Sequence, residues 1–224
     1  MASNTVTGIL LCADGSRIPL KTDLTEGTED NLTTDTVYSV AAQQVGDYSP
    51  GKQVVGGLIT ADNSISYAYL LRQGLVESII PIGVKGVADK TPTLTKPFTL
   101  QAGDKLRVLT LTASARNAAL CVSTAQGIER IFIVTPTTGA TNELVDLQTS
   151  NSIGDTLQNQ VVLMAQFTSV DGSKIETQGA YIVDSINNVV GSIPSNSPAQ
   201  LQPLMAPASS PVGLNFKAQF LTNA

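Results

Sequence analysis

The segment Gly46-Asp47-Tyr48-Ser49-Pro50-Gly51-Lys52-Gln53 is one residue away from the phosphate-binding pattern G-x-x-x-x-G-K-[ST]. That pattern cradles phosphate oxygens with backbone amides, holds magnesium with a Ser or Thr hydroxyl, and opens a helix whose N-terminus faces the anion. Here the magnesium position is Gln53, and Val54-Val55-Gly56-Gly57 reads as strand or turn, so the segment is expected to be a turn between strands. Ser49 and Lys52 also have the S-x-x-K spacing of a serine nucleophile with a lysine base. That chemistry needs both residues on one helical turn, and Pro50-Gly51 between them favours a β-turn instead.

Carboxylates form two further groups. Glu26, Glu29, Asp30 and Asp35 are close enough in sequence to offer oxygen ligands to calcium, but Gly27 is misplaced for a calcium loop, which leaves a solvated acidic loop. Asp171 and Glu176 are the nearest approach to a glycosidase pair. Asn31-Leu32-Thr33 matches a glycosylation acceptor, which matters only for a secreted chain. Tyr67 and Tyr69 would share one strand face, as a stacking platform for sugars or bases or as core. Cys12 and Cys121 each sit in an apolar run and are expected to be buried free thiols rather than a disulfide or a zinc site. There is no histidine, which removes the imidazole base, the imidazole metal ligand and every His-activated nucleophile. No enzyme activity and no cofactor or metal is therefore expected.

The charge layout points the same way. Lys and Arg total 13, Asp and Glu 18, for a net charge of −5. The basic residues are spread singly from Arg17 onward, with no stripe for a nucleic-acid backbone, so specific nucleic-acid binding is not expected. Charged residues are 14% and hydrophobic residues 42% of the chain, with a mean hydropathy of +0.13. Average globular chains carry about 25% charged residues. No apolar run approaches the roughly 18 residues of a membrane-spanning helix. The first twelve residues lack the basic region and long apolar stretch of a signal peptide, so export by the general secretory route is not expected.

The elements that must position these residues read as strands. Thr, Val and Ile dominate the apolar runs, and β-branched residues suit a pleated surface. Strands are expected at 5–12 and 17–20 around Asp14-Gly15, at 36–45 and 53–60, at 64–71, and at 76–84, where Pro81 marks an edge or bulge. Residues 24–35 read as a loop. Within 98–112 the apolar phase flips after Val108, as a bulge would cause. Residues 117–124 with 128–135 read as a hairpin, and 161–170 with 174–183 as another across Asp171-Gly172. Two helical turns are expected at 141–149, with Thr141 as N-cap and Leu144 and Leu147 on one side. No repeat with a period of 20–50 residues is visible.

Past residue 185 the only charge is Lys217, and Pro194, Pro198, Pro203, Pro207 and Pro211 recur among Ser, Ala and Gln. Such a run is extended. Leu214, Phe216, Ala218 and Phe220 then alternate with mostly polar residues, a strand that must dock, either on a neighbouring subunit or back on its own sheet. The expected architecture is an all-β antiparallel sandwich of jelly-roll type, of about eight to ten strands, over residues 1–193. An extended arm at 194–224 follows, with Leu214, Phe216, Ala218 and Phe220 as its subunit interface.

In the strand-and-turn series 98–135, the hairpin 161–183 and the arm 194–220, the chain resembles virion coat proteins, the single jelly-roll capsid proteins of bacterial and archaeal viruses. The resemblance implies an eight-stranded sandwich forming trimers, pentamers or hexamers, with arms clamping neighbours. It also implies a chain made in the host cytoplasm and built into virions beside copies of itself and other virion proteins. Low charge with positive hydropathy supports a surface largely covered by partners. The competing expectations are a phage decoration, tail-fibre or carbohydrate-binding β-sandwich module, and an enzyme working without histidine.

Overall fold

The computed structural model describes residues 3–25, 27–35, 41–61, 66–81, 96–111, 118–134, 141–171, 174–176, 179–193, 202–203 and 211–221. The chain divides into two compact units, Met1–Thr110 and Leu111–Ala224. The expected division, a sandwich over 1–193 and an arm beyond it, differs from this. Most of the Pro-rich run, including Pro194, Pro198 and Pro207, lies outside the described residues.

In unit 1, β1 (Ser3–Cys12) and β2 (Arg17–Thr25) form the expected hairpin. They are followed by β3 (Glu29–Asn31), β4 (Thr33–Thr34), the helical turn α1 (Val45–Tyr48), β5 (Gln53–Ala61), β6 (Ser66–Arg72), β7 (Leu75–Pro81), β8 (Phe98–Thr99) and β9 (Lys105–Thr110). Two antiparallel sheets result, ordered β4-β2-β1-β5-β8 and β3-β9-β6-β7. Period-two alternation sends Val6, Leu10, Ile18 and Leu20 inward from the first, to meet Ala68, Leu70, Leu106 and Val108 from the second. The fourth strand, β5, lies beside the first, which is the Greek-key order.

Unit 2 contains β10 (Ala118–Thr124), β11 (Glu129–Val134), β12 (Thr141–Asp146), the turn α2 (Ile153–Thr156), β13 (Val162–Asp171), β14 (Lys174–Glu176), β15 (Ala180–Val183), β16 (Val189–Ile193), β17 (Gln202–Pro203) and β18 (Lys217–Leu221). One sheet runs β14-β13-β10-β11-β12-β18-β15-β16, with β17 on β13. It curls on itself. Phe167 on β13 meets Phe220 on β18, four strands away in the sheet, with ring centroids 5.2 Å apart. The all-β antiparallel sandwich expected from the sequence is therefore present, with jelly-roll-like Greek-key connectivity, but in two units of about half the chain each.

The two units repeat one design. In the first turn Cys12 N donates to Ser16 O at 2.9 Å and Ala13 N to Gln53 O at 2.8 Å. In unit 2 Thr124 N donates to Ile128 O at 3.0 Å and Ala125 N to Val161 O at 2.7 Å. Register shifts fall at Leu11/Cys12 and Ser123/Thr124, and again at Leu70/Leu71 and Ile182/Val183. Gly46 N reaches Asp104 O at 3.2 Å, as Gly154 N reaches Phe216 O at 2.9 Å. Both glycines are required by close approach. A methyl group on Gly46 would overlap the Gln101 carbonyl oxygen and the Asp104 amide, and one on Gly154 the Phe216 amide and the Gly213 carbonyl oxygen. Where the chain turns left-handed, Gly103 (φ 83°) in unit 1 is matched by Asn215 (φ 62°) in unit 2, the residue types that tolerate that region.

Several local expectations are corrected. Residues 141–146 are strand, not helix: Asn142, Leu144 and Asp146 point inward in alternation, and β12 pairs with β11 and β18. The Leu144/Leu147 spacing fits a helix equally well, and pairing on both edges decides for the strand. The acidic stretch 24–35 contains β3 and β4, with Leu32 fully buried, because its backbone completes ladders with β9 and β2. Of the strand expected at 36–45, residues 36–40 lie outside the described set, residues 41–44 are not strand, and Val45 opens α1. No bulge interrupts β9, whose ladder with β6 is continuous; the apolar phase flips because Leu109 is buried on the opposite face from Val108. Past Glu176 the second expected hairpin parts, since β15 pairs with β16 and β18 rather than with β13.

Candidate functional site

The phosphate-loop segment is built as a strand connection. Ser49 N donates to Val45 O, closing α1, Lys52 N to Ser49 O, and Gly51 N to Leu100 O, after which the chain enters β5. The Lys52 ammonium is paired with the Asp14 carboxylate. That hydrogen bond raises the Lys52 pKa and holds the Asp14 carboxyl well below the usual carboxylate range. A lysine acting as a base needs the opposite shift, and the Lys52 ammonium pairs with Asp14 on the neighbouring turn.

The acidic residues separate. Glu29 lies on β3, where its carboxylate accepts the Tyr69 hydroxyl hydrogen and stands 2.6 Å from Arg107 Nε. Burial first, then the bond to Glu29, pushes the Tyr69 pKa well above its ordinary value. Asp30 Oδ1 accepts from Asn31 N at 2.7 Å, and Asp35 follows β4, its backbone amide donating to Pro19 O on β2 at 3.0 Å. Glu26 lies outside the described residues. Asp171 and Glu176 occupy different rungs of the β13–β14 ladder, opposite Lys174 and Ser169. Asn31 is a strand residue followed by buried Leu32, not a loop acceptor. Among the described residues no three His, Cys, Asp or Glu gather as metal ligands, and no helix is long and apolar enough to cross a membrane.

Other polar clusters are structural. Arg72 clamps Asp104 with Nε to Oδ1 at 2.9 Å and Nη2 to Oδ2 at 2.7 Å, and Nη2 also donates to Thr99 O at 2.7 Å. Gln101 N donates to the same carboxylate at 2.8 Å, so Asp104 is buried with its charge matched. In unit 2, Asp146 caps the turn after β12: its Oδ1 accepts from the Gln148 and Thr149 amides and from Thr149 Oγ1.

Tyr67 and Tyr69 are both fully buried, which removes them as a stacking platform. Cys12 and Cys121 are buried free thiols, and burial pushes the Cys121 thiol up. The docking strand is shorter than its alternation suggests. Leu214 and Asn215 form a turn, Leu214 is exposed, Phe216 packs against the core of unit 2, and Ala218 and Phe220 are buried within it. Of the two partners the sequence allows this strand, the structure has it in its own sheet, between β12 and β15.

What remains open is a strand face. Outward-pointing residues of β1, β2 and β5 line a groove of about 540 Å³, with Thr7, Ile9, Arg17, Pro19, Leu58 and Thr60 along it and Asp35 at one side. Thr7 Oγ1 and Thr60 Oγ1 are 3.4 Å apart across the strands. Its lining is hydroxyls, one guanidinium, one carboxylate and aliphatic surface. No single residue type in the sequence marks this groove; its signal is the apolar Ile9, Pro19 and Leu58 at outward positions. The chain matches no family model, and no curated protein or solved structure is significantly similar to it.

Proposed function

We propose that the protein is a structural, self-assembling virion coat subunit. The observation that carries this reading is the surface. Ile186, Val189, Leu163, Leu214, Leu75 and Val55 are between 45% and 74% exposed in a chain that is only 14% charged. Single apolar side chains on a surface are ordinary; it is their occurrence on a chain with so little charge that supports a surface partly covered by partners. Buried Asp104 is held by Arg72 and buried Asp146 caps a turn, which suits a building element. A decoration, tail-fibre or sugar-binding module needs an aromatic platform, and burial of Tyr67 and Tyr69 leaves that alternative without the residues that suggested it. Negative-stain microscopy of the purified protein tests the reading: closed shells or capsomer rings are expected, and dispersed single molecules that bind glycans would overturn it.

A further inference from the structure

The outer face of β2 reads Arg17, Pro19, Lys21, a cation on either side of an apolar residue. The strand ladders extend each position sideways. Pro19 stands opposite Ile9, and Ile9 opposite Leu58, so one rung across three strands is aliphatic. Lys21 stands opposite Thr7, and Thr7 opposite Thr60, so the next rung carries two hydroxyls. Arg17 begins the rung on the other side, opposite Leu11. Arg17, Pro19, Ile9, Leu58, Thr7 and Thr60 all line the groove of about 540 Å³ in unit 1, and Asp35 borders it beside Pro19. Small-molecule sites occupy about 300–1,000 Å³, so the groove has the size of one.

Its charge is unanswered. Lys52, Arg72, Lys96 and Arg107 of unit 1 each stand in an ion pair. Among the described residues Arg17 and Lys21 stand in none, and neither side chain donates a hydrogen bond; Lys105, on β9 and outside the groove, shares that state. A guanidinium and an ammonium thus flank an aliphatic rung, about 13 Å apart along one strand, on a chain whose net charge is −5. Asp35 is engaged within the chain, and Asp23, one rung past Lys21, accepts the Thr5 hydroxyl hydrogen at 2.6 Å. We propose that this groove binds a medium-chain aliphatic carboxylate. Arg17 forks the carboxylate, since its planar donors match two oxygens. The aliphatic chain lies across Pro19, Ile9 and Leu58, which removes both surfaces from water. Thr7 and Thr60 bound the far end, where Lys21 adds positive potential.

The inference stands on the groove and not on the coat-protein reading: titration reads the one and microscopy the other, and either can fail alone. Isothermal titration calorimetry of the full chain with octanoate tests it. One-to-one binding with a Kd of about one millimolar is expected, the range open to a ligand of about ten heavy atoms. Arg17→Gln, at an exposed position that does not cost the fold, should weaken binding about tenfold. Lys21→Gln should weaken it about twofold at low salt and not at high salt, as a distant exposed charge does. Asp35→Asn, which removes a negative charge beside the ligand, should strengthen it. Octylammonium, the same chain with the opposite charge, should bind about tenfold more weakly than octanoate. No saturable heat with octanoate, octylammonium bound as tightly as octanoate, or Arg17→Gln binding octanoate like wild type overturns the proposal.

Discussion

Replacing Phe220 by alanine tests whether the last strand is part of its own unit. Phe220 is 2% exposed, and β18 is an interior strand, paired with β12 through Thr141↔Leu221 to Leu144↔Ala218 and with β15 through Ala180↔Phe220 to Val183↔Lys217. Truncating a buried phenylalanine costs about 3–5 kcal/mol, transfer and cavity together. The tilted contact with Phe167, at 5.2 Å and 50°, places Phe220→Ala near the upper end, since such a ring pair is worth ~1 kcal/mol beyond its area. With a urea slope of about 2 kcal/mol per molar, the unfolding midpoint of unit 2 should fall by roughly 2 M. Leu214→Ala, at a site 53% exposed, should change stability by less than about 0.5 kcal/mol. Urea titration followed by far-ultraviolet circular dichroism, at two protein concentrations tenfold apart, reads both quantities. A loss below ~1 kcal/mol would mean that Phe220 is not in the core described.

Three further outcomes are expected. Tyr69 is held protonated when folded, so its stabilising contribution is full below its unfolded pKa near 10 and declines as pH rises above it, by about 1.4 kcal/mol per pH unit; urea titrations from pH 8 to 11 should show a shallower alkaline decline in Tyr69→Phe, and an unchanged slope would contradict burial against Glu29. Gly46→Ala and Gly154→Ala should each cost about 2 kcal/mol or more, since the added methyl meets backbone atoms, whereas Gly103→Asn, with a positive φ and open space around it, should stay within about 1 kcal/mol by thermal unfolding. Cys12 and Cys121, at 5% and 0% exposure, should label slowly with a thiol reagent in the native state and fully in denaturant; rapid native labelling of Cys121 would place it outside the interior.

Much of the fold is written in local sequence. Alternation of Val6, Leu10, Ile18 and Leu20 with polar neighbours, the Asp14-Gly15 and Gln126-Gly127 turns, and the apolar run around Cys121 are nearest-neighbour signals, and they specify antiparallel strands and buried thiols without reference to distant residues. Pro81 ends β7, which lies at a sheet edge where a missing amide costs nothing. Tertiary structure decided the rest. Thr141 to Asp146 has helix spacing and strand spacing at once, and only pairing with β11 and β18 chooses between them. The doubling of the design escapes a search for short periods because the repeat is as long as a domain. Identity survives at few matched places, such as Gly15 and Gly127, Gly46 and Gly154, or Tyr69 and Tyr181, where backbone conformation, close approach or packing admits little else. Outward faces diverged, Ile9 against Cys121 and Arg107 against Gln219, because a ladder constrains its backbone while side chains on an outer face answer to whatever covers it. For the same reason Tyr67 and Tyr69 read from sequence as core or interface more readily than as an open platform, without a decision between them: alternation says which side of a strand a residue takes, and only the folded chain says whether that side meets water.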